Sequence, residues 1–334
     1  MCAGLAVAAV GGAGDGGWTR RGADVPDEAL AGELAARTVG QRPLEVRRFT
    51  TGSQHYVYEV SFADRAPVVL RISDAGGAAL MRGASRLSRQ LRPLGVPLPE
   101  ILAEDLTPPF AYLVLQRLPG TDLGSVVARL STARLTAIAG EVARAQAIVA
   151  GTPSAGSYGF AATPDDAPCD RWSEVIEASL ERSRQRILAA GLFDPGAVAA
   201  VGQLAGQWRS ELEAQAAVPF LHDTTTKNVI VAPDGRFSGI VDVDDLCYGD
   251  PRYVAALTMA SLLVSGGPTG YVEAWLGQAG LADDRLFRLY VAVFLVDFMA
   301  EHGQVFNGNQ QSSSPAARAH LGAVFATALR RTEA

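Results

Sequence analysis

Two apolar, mostly β-branched runs, Val229-Ile230-Val231 and Phe237 to Val241, flank the segment Pro233-Asp234-Gly235-Arg236. This pattern constrains the chain more than any other. Asp-Gly between such runs is the signature of a tight β-hairpin, so the two runs are expected to pair antiparallel. With Asp234 and Gly235 as the loop, Ala232 faces Arg236 or Phe237. Counting back then sets Asn228 opposite Val241 or one place short of it, and so close to Asp242, with roughly 5 Å between paired Cα atoms. One turn thereby brings two oxygen-bearing side chains together from fourteen positions apart.

Upstream, Asp223 and Asn228 stand five apart. In a phosphoryl-transfer loop the D-x-x-x-x-N spacing supplies a base for an acceptor hydroxyl and a ligand for magnesium. Magnesium takes hard oxygen donors, one or two from the protein and the rest from phosphate and water, which suits Asn228 and Asp242. Taken singly, the three residues read as a loop cap, a turn residue and a strand-end carboxylate. Together with the hairpin and the following Gly249-Asp250-Pro251, they resemble the aminoglycoside phosphotransferase and choline kinase superfamily. There the catalytic loop reads HGDxxxxN, and the metal aspartate precedes a Gly-Asp-Pro. The resemblance implies Asp223 as catalytic base and Asn228 and Asp242 as magnesium ligands. The family histidine two before the aspartate is Leu221 here, and His222 directly precedes Asp223. Alternating side-chain directions give His222 a different part, so what orients this loop is left open.

Composition narrows the partners. A chain of 334 residues, 48% hydrophobic and 19% charged, buries a substantial core as one two-lobed unit or two close domains. Net charge −6 argues against a nucleic-acid partner. Three scattered cysteines suit a reducing cytoplasm rather than a disulfide framework or a zinc site. The apolar run Leu289 to Val296 stops at Asp297, far short of the ~20 residues of a membrane span. Residues 1–25 read as a disordered Ala/Gly-rich leader without the basic start of a signal peptide. The one lysine, Lys227, lies inside the catalytic loop against 28 arginines elsewhere. Either a rare residue fell there by chance, or a compact ammonium serves the phosphates where a planar guanidinium does not fit.

Ahead of this site, an acidic-started helix from Asp27 to Val39 precedes strand-like runs Leu44 to Phe49, Tyr56 to Phe62 and Val68 to Ile72. The turn between the first two holds Gly52 and Ser53, where a kinase places its phosphate-covering loop. By alternation Arg71 points opposite to Leu70 and Ile72. It stands where kinases place a phosphate-holding lysine; otherwise it is a strand-end arginine on the solvent face. The usual partner is a glutamate in the next helix, yet Gly83 occupies that place in Arg82-Gly83-Ala84 and no glutamate lies between Glu59 and Glu100. Gln116-Arg117-Leu118-Pro119-Gly120 resembles the family's ERLPG hinge, which implies that backbone groups from Gln116 to Leu118 meet the nucleotide base. Beyond it come helical runs: Ser131 to Val149, Asp170 to Ala190, Pro195 to Ala214, Tyr253 to Val264, Gly270 to Gln278, Asp284 to His302 and Ala316 to Arg330. Asn307 to Ser314 is a polar loop. Asp297 and Glu301 share a helix face, and with Asp250 they either line a site for a cationic substrate or belong to a solvated face. Asp244 and Asp245 either help hold metal or cap a strand.

The expected fold is α+β and protein-kinase-like, with a small antiparallel-sheet lobe over residues 26–118 and a larger, mainly helical lobe over 119–334. The resemblance implies transfer of the γ-phosphoryl group of ATP or GTP, with Mg2+, to a hydroxyl of a small molecule. Candidates are an antibiotic such as an aminoglycoside or macrolide, or a metabolite such as a sugar, amino alcohol or homoserine. The alternative is a nucleotide-binding pseudokinase without turnover, favoured by Arg71, the absent glutamate and Leu221. Oligomeric state is left open.

Overall fold

The computed structural model describes residues 25–49, 55–73, 76–107, 109–306, 309–310 and 313–333. The leader up to residue 24, the loop holding Gly52 and Ser53, and residues 307, 308, 311 and 312 of the polar stretch lie outside the described residues. Helix α1 (Glu28–Val39) starts where Asp27 accepts a hydrogen bond from the Leu30 N–H, the N-cap expected of an aspartate. Strands β1 (Glu45–Phe49), β2 (Tyr56–Ser61), β3 (Val68–Ile72), β4 (Ile101–Asp105) and β5 (Tyr112–Gln116) make one antiparallel sheet in the order β1-β2-β3-β5-β4. Helix α2 (Ala78–Leu91) crosses between β3 and β4.

Strand alternation assigns the two faces of this sheet. Tyr56, Tyr58 and Val60 with Val68, Leu70 and Ile72 point to one face, where Ala31, Leu34 and Ala35 of α1 close over them. Val57, Val69, Arg71, Leu113 and Leu115 point to the other, and all five border a cavity. That cavity faces the helical part.

The helical part begins with the short strand β6 (Thr121–Asp122), then α3 (Leu123–Val126), α4 (Thr132–Ala150), β7 (Gly159–Ala161), α5 (Trp172–Ala190), α6 (Gly196–Gln207) and α7 (Arg209–Glu213). The single helix expected from Pro195 to Ala214 is thus two, broken at Trp208 where the backbone leaves helical geometry. After strands β8 (Val218–Phe220), β9 (Val229–Val231), β10 (Phe237–Ile240) and β11 (Leu246–Gly249) follow α8 (Arg252–Ser265), α9 (Gly270–Ala279), α10 (Arg285–Glu301) and α11 (Pro315–Glu333). Helix α10 is buried on nearly every side from Leu286 to Glu301, as befits a central helix apolar all round. Beside it the Trp172 indole N–H donates to the Tyr290 hydroxyl at 2.8 Å within a cluster of edge-on rings.

The expected hairpin is β9 and β10, with two adjustments. Ala232 and Arg236 close the turn through the Ala232 N–H and Arg236 carbonyl, leaving three residues in the loop with Gly235 at φ 79°, a position glycine favours. A bulge between Phe237 and Gly239 then shifts the register by one, so Ile240 faces Val229. The Val241 N–H donates to the Asn228 carbonyl at 2.9 Å, and Val241 is thereby the neighbour of Asn228. At the bulge, a Cβ on Gly239 would lie 2.6 Å from the Pro97 carbonyl oxygen, the acceptor of the Ile240 N–H.

Gly239→Ala is therefore expected to destabilise the protein by about 1–3 kcal/mol through overpacking against backbone, read from urea unfolding. A variant as stable as the parent would show that the bulge is loosely packed.

Candidate active site

The loop from Leu221 to Asn228 enters from β8 with Leu221 fully buried. One amide from α4 clamps it: Gln146 Oε1 accepts the Leu221 N–H at 2.9 Å, while Gln146 Nε2 donates to the Leu221 carbonyl at 2.8 Å and to Thr224 Oγ1 at 3.0 Å. Thr225 Oγ1 donates to Asp223 Oδ1 at 3.0 Å, and its carbonyl accepts the Asn228 N–H at 2.9 Å. The Asn228 side-chain NH2 donates to the Asp223 carbonyl at 2.9 Å. That bond turns the amide oxygen of Asn228 the other way.

His222 has the different part its position demanded. Its Nδ1 lies 3.0 Å from Asp245 Oδ1, and its ring sits edge-on to Phe160 at 5.1 Å. Gln146, with the threonines and this contact, orients the loop in the absence of the family histidine. Asp245 is thus an ion-pair partner rather than a strand cap.

Past the hairpin, Asp242 adopts φ 67°, the one positive φ of a non-glycine among the described residues. Aspartate tolerates this left-handed region better than most residues, and the kink aims its half-exposed side chain at Arg71. Arg71 Nη2 donates to Asp242 Oδ1 at 2.5 Å and to Asp244 Oδ2 at 2.7 Å, and His55 Nε2 lies 3.1 Å from that same Asp244 oxygen. Arg71 is 5% exposed, which excludes the solvent-face reading. Asp244 caps no strand either.

The cavity between sheet and helical part has a volume of about 560 Å³ and is bordered by Arg71, Gln116, Leu118, Lys227, Asn228 and Asp242. Six of the residues named from sequence thereby meet around one space. Asp223 is not among the lining residues, although it interacts electrostatically with Lys227 and Asp242. In the hinge, the Gln116 N–H donates to the Glu100 carbonyl at 2.8 Å, and the Arg117 guanidinium donates to the carbonyls of Leu118 and Gly120.

Asp297, Glu301 and Asp250 do not border the cavity. Asp250 is spent on Arg252 and on the Tyr290 hydroxyl, and Asp297 accepts from Ser183 Oγ at 3.0 Å. Asp297 and Glu301 are 3% and 5% exposed, so the solvated-face reading fails with the binding one. A four-residue spacing shows a shared face but not whether that face meets water. Gln146 and His55 were missed, since each finds its partner far along the chain. The one available signal was a glutamine set among Ala145, Ala147, Ile148 and Val149.

Burial pushes the Asp223 carboxyl above its ordinary range, helped by Asp242 and opposed by His222 and Lys227. Burial alone would depress His222, yet Asp245, with Asp223 and Asp244 behind it, outweighs this and lifts it to about 9. Burial would likewise raise Asp244, but the Arg71 and His55 charges hold it well below the usual carboxylate range. The result is an ionised, anchored Asp244 beside an accessible Asp242. An amide oxygen and a carboxylate next to a buried arginine suit a hard cation with phosphate oxygens.

Because the folded pKa of His222 lies above its unfolded value of 6.5, its stabilising contribution is full below pH 6.5 and fades as pH rises through about 9. Unfolding free energy should accordingly fall over that window by up to about 3 kcal/mol on this account. His222→Gln should flatten the slope in urea titrations at pH 6 and 9.5. Identical slopes would remove the charged pair.

The phosphotransferase enzyme family matches residues 45–290 of the chain. No curated protein matches it in sequence. Among solved structures, a thermostable mutant of aminoglycoside phosphotransferase APH(4)-Ia, in ternary complex with AMP-PNP and hygromycin B, superposes with TM-score 0.59 at 16% identity, covering 89% of this chain and 97% of that one. The GDP complex of an aminoglycoside 2'-phosphotransferase-IIIa mutant gives TM-score 0.64 at 15% identity, over 92% and 96%. A putative fructosamine-3-kinase from Thermobifida fusca gives 0.59 at 18%, over 91% and 100%. These neighbours share the protein-kinase-like fold, and with its sequence matched from the first strand to the tenth helix, the chain belongs to the phosphotransferase enzyme family.

Proposed function

We propose that this enzyme transfers the γ-phosphoryl group of ATP or GTP to a hydroxyl of a small molecule. The reading rests chiefly on one observation: Asn228, its NH2 committed to the Asp223 carbonyl, borders the same cavity as Asp242 and the buried Arg71. In this reading Asn228 Oδ1 and Asp242 hold magnesium, which when bound neutralises phosphate charge. Arg71 and Lys227 meet phosphate oxygens, with Gly52 and Ser53 covering them. The base lies against the Gln116–Leu118 hinge, between a sheet part ending near Leu118 and the helical part. Asp223 takes the proton of the acceptor hydroxyl, a task its raised pKa suits. Nucleotide use is supported by neighbours solved with AMP-PNP and with GDP. Among the described residues the thiols of Cys169 and Cys247 are free, which accords with a cytoplasmic setting.

For the acceptor, the cavity wall carries two carboxylates among the described residues, Asp122 and Asp242. Asp122 is engaged by the Ser125 N–H and hydroxyl at 2.9 and 2.6 Å. The acceptor has to meet Asp223, outside this lining, and is a hydroxylated small molecule: an antibiotic such as an aminoglycoside or macrolide, or a metabolite. The departures that favoured a module without turnover, Arg71 without its glutamate and Leu221, are each met by a local substitute in Asp244 and Gln146.

Magnesium-dependent thermal stabilisation by ATP and GTP, then phosphate transfer to a panel of hydroxylated compounds, tests the reading; no nucleotide effect in any condition would end it. Asp223→Asn should cut kcat at least 100-fold with nucleotide affinity within about threefold, and Asp242→Ala should abolish the magnesium dependence of nucleotide binding. Activity should decline on acidification above the ordinary aspartate range, because the Asp223 pKa is raised. Lys227→Ala should lower kcat by about 10–100-fold and Lys227→Arg by less. Wild-type kinetics in Lys227→Ala would make the lone lysine an accident of composition.

A further inference from the structure

Kinases hold their β3 cation with a glutamate from the following helix. Here that helix, α2, offers Gly83, and its surroundings say why a glutamate cannot stand there. A Cβ on Gly83 would lie 2.8 Å from the Asp244 carbonyl oxygen and 3.0 Å from Ala162 Cβ. The backbone of Asp244 thus fills the space that a side chain from α2 would need. From there the Asp244 carboxylate reaches Arg71 at 2.7 Å and is held from the other side by His55 at 3.1 Å.

We propose that Asp244, with His55 behind it, is the positioning anchor of Arg71 and has taken over the task of the missing helix glutamate. Gly83 is what lets it do so. The inference rests on the phosphotransferase reading for its purpose but not for its geometry. The division of labour between the two carboxylates follows from exposure. The Asp244 side chain is 13% exposed and carries two nitrogen partners, Arg71 and His55, whereas Asp242 is 44% exposed and open to the cavity. Were Asp242 to hold a metal ion, Arg71 would keep one ion pair, the one to Asp244. Arg71 Nε is buried with no hydrogen-bond partner among the described residues, a donor left over in a side chain whose Nη2 is already committed. The anchor also comes from the segment that carries the metal carboxylate, two residues on. Arg71 and Asp242 are therefore set by one piece of backbone, where a helix glutamate would couple them to the orientation of α2.

The test is a double-mutant cycle on Arg71→Ala and Asp244→Asn, read in two ways. In titrations with magnesium and AMP-PNP, Asp244→Asn should weaken binding about 10-fold or more, and the double variant should bind no worse than Arg71→Ala alone. Effects that multiply would overturn the anchor. The same cycle on Tm without nucleotide should also be non-additive, and an additive result there overturns the proposal independently of any ligand. A wild-type protein that fails to bind nucleotide but shows coupling in Tm would retain the anchor and remove the phosphotransferase reading. Space supplies a further discriminator: Gly83→Glu, which restores the glutamate of the family pattern, should not rescue Asp244→Asn. Rescue would show that α2 can reach Arg71 after all and would refute the assignment. His55→Gln should weaken nucleotide binding in the same direction and by less, and an unchanged affinity would confine the anchor to Asp244.

Discussion

A guanidinium 5% exposed inside the N-terminal sheet requires countercharge, and among the described residues Arg71 finds it at residues 242 and 244. A buried cation stripped of its partners costs about 3–5 kcal/mol. The sheet and the segment after the β9–β10 hairpin are consequently held together by charge as well as by packing. Everything that positions Asp242 and Asp244 then bears on the sheet: the three-residue turn, the bulge at Gly239, the Ile240 bond to Pro97 and the left-handed backbone at Asp242. The energetic weight of one ion-pair cluster explains why an aspartate is kept in a conformation most residues avoid.

The hairpin was legible because its information is local. Asp-Gly between β-branched runs specifies a turn whatever the rest of the chain does. Its inner register was less so. The turn holds three residues rather than two, and the bulge then offsets the strands again, so the two departures leave Asn228 opposite Val241, one of the two places that simple counting allowed. Bulges arise from how a strand must bend against its neighbours, here Pro97 and Leu118, and no residue within the hairpin announces them. The anchors were out of reach for a related reason. Gln146 meets Leu221 across 75 positions, Arg71 meets Asp244 across 173 and His55 meets Asp244 across 189.

Periodicity had a similar boundary. Alternation along β3 correctly separated Arg71 from Leu70 and Ile72 but left open whether its face met water or the cavity. Along α10 the four-residue spacing of Asp297 and Glu301 was real, and the helix is surrounded by core on nearly every side. Period reports relative direction; only the neighbours report what lies in that direction. Two acids in an almost fully buried helix read from sequence like two acids at a surface, because from Leu289 onward the helix presents no polar stripe against which to notice them.

The catalytic loop shows how such a site tolerates loss of a family residue. Leu221 has joined the core, and the loop backbone is fixed instead by a neutral amide that satisfies both a donor and an acceptor of one residue. Because Gln146 carries no charge, this clamp leaves the electrostatics of Asp223 to its other neighbours. Burial and Asp242 favour the protonated acid, while His222 and Lys227 favour the carboxylate. His222 can act this way only because Asp245 keeps it charged. Burial and the neighbouring charges thus pull the Asp223 carboxyl in opposite directions. The neutral clamp and the charged pair therefore divide the work: one places the loop, and the other sets the acidity of the carboxylate it carries.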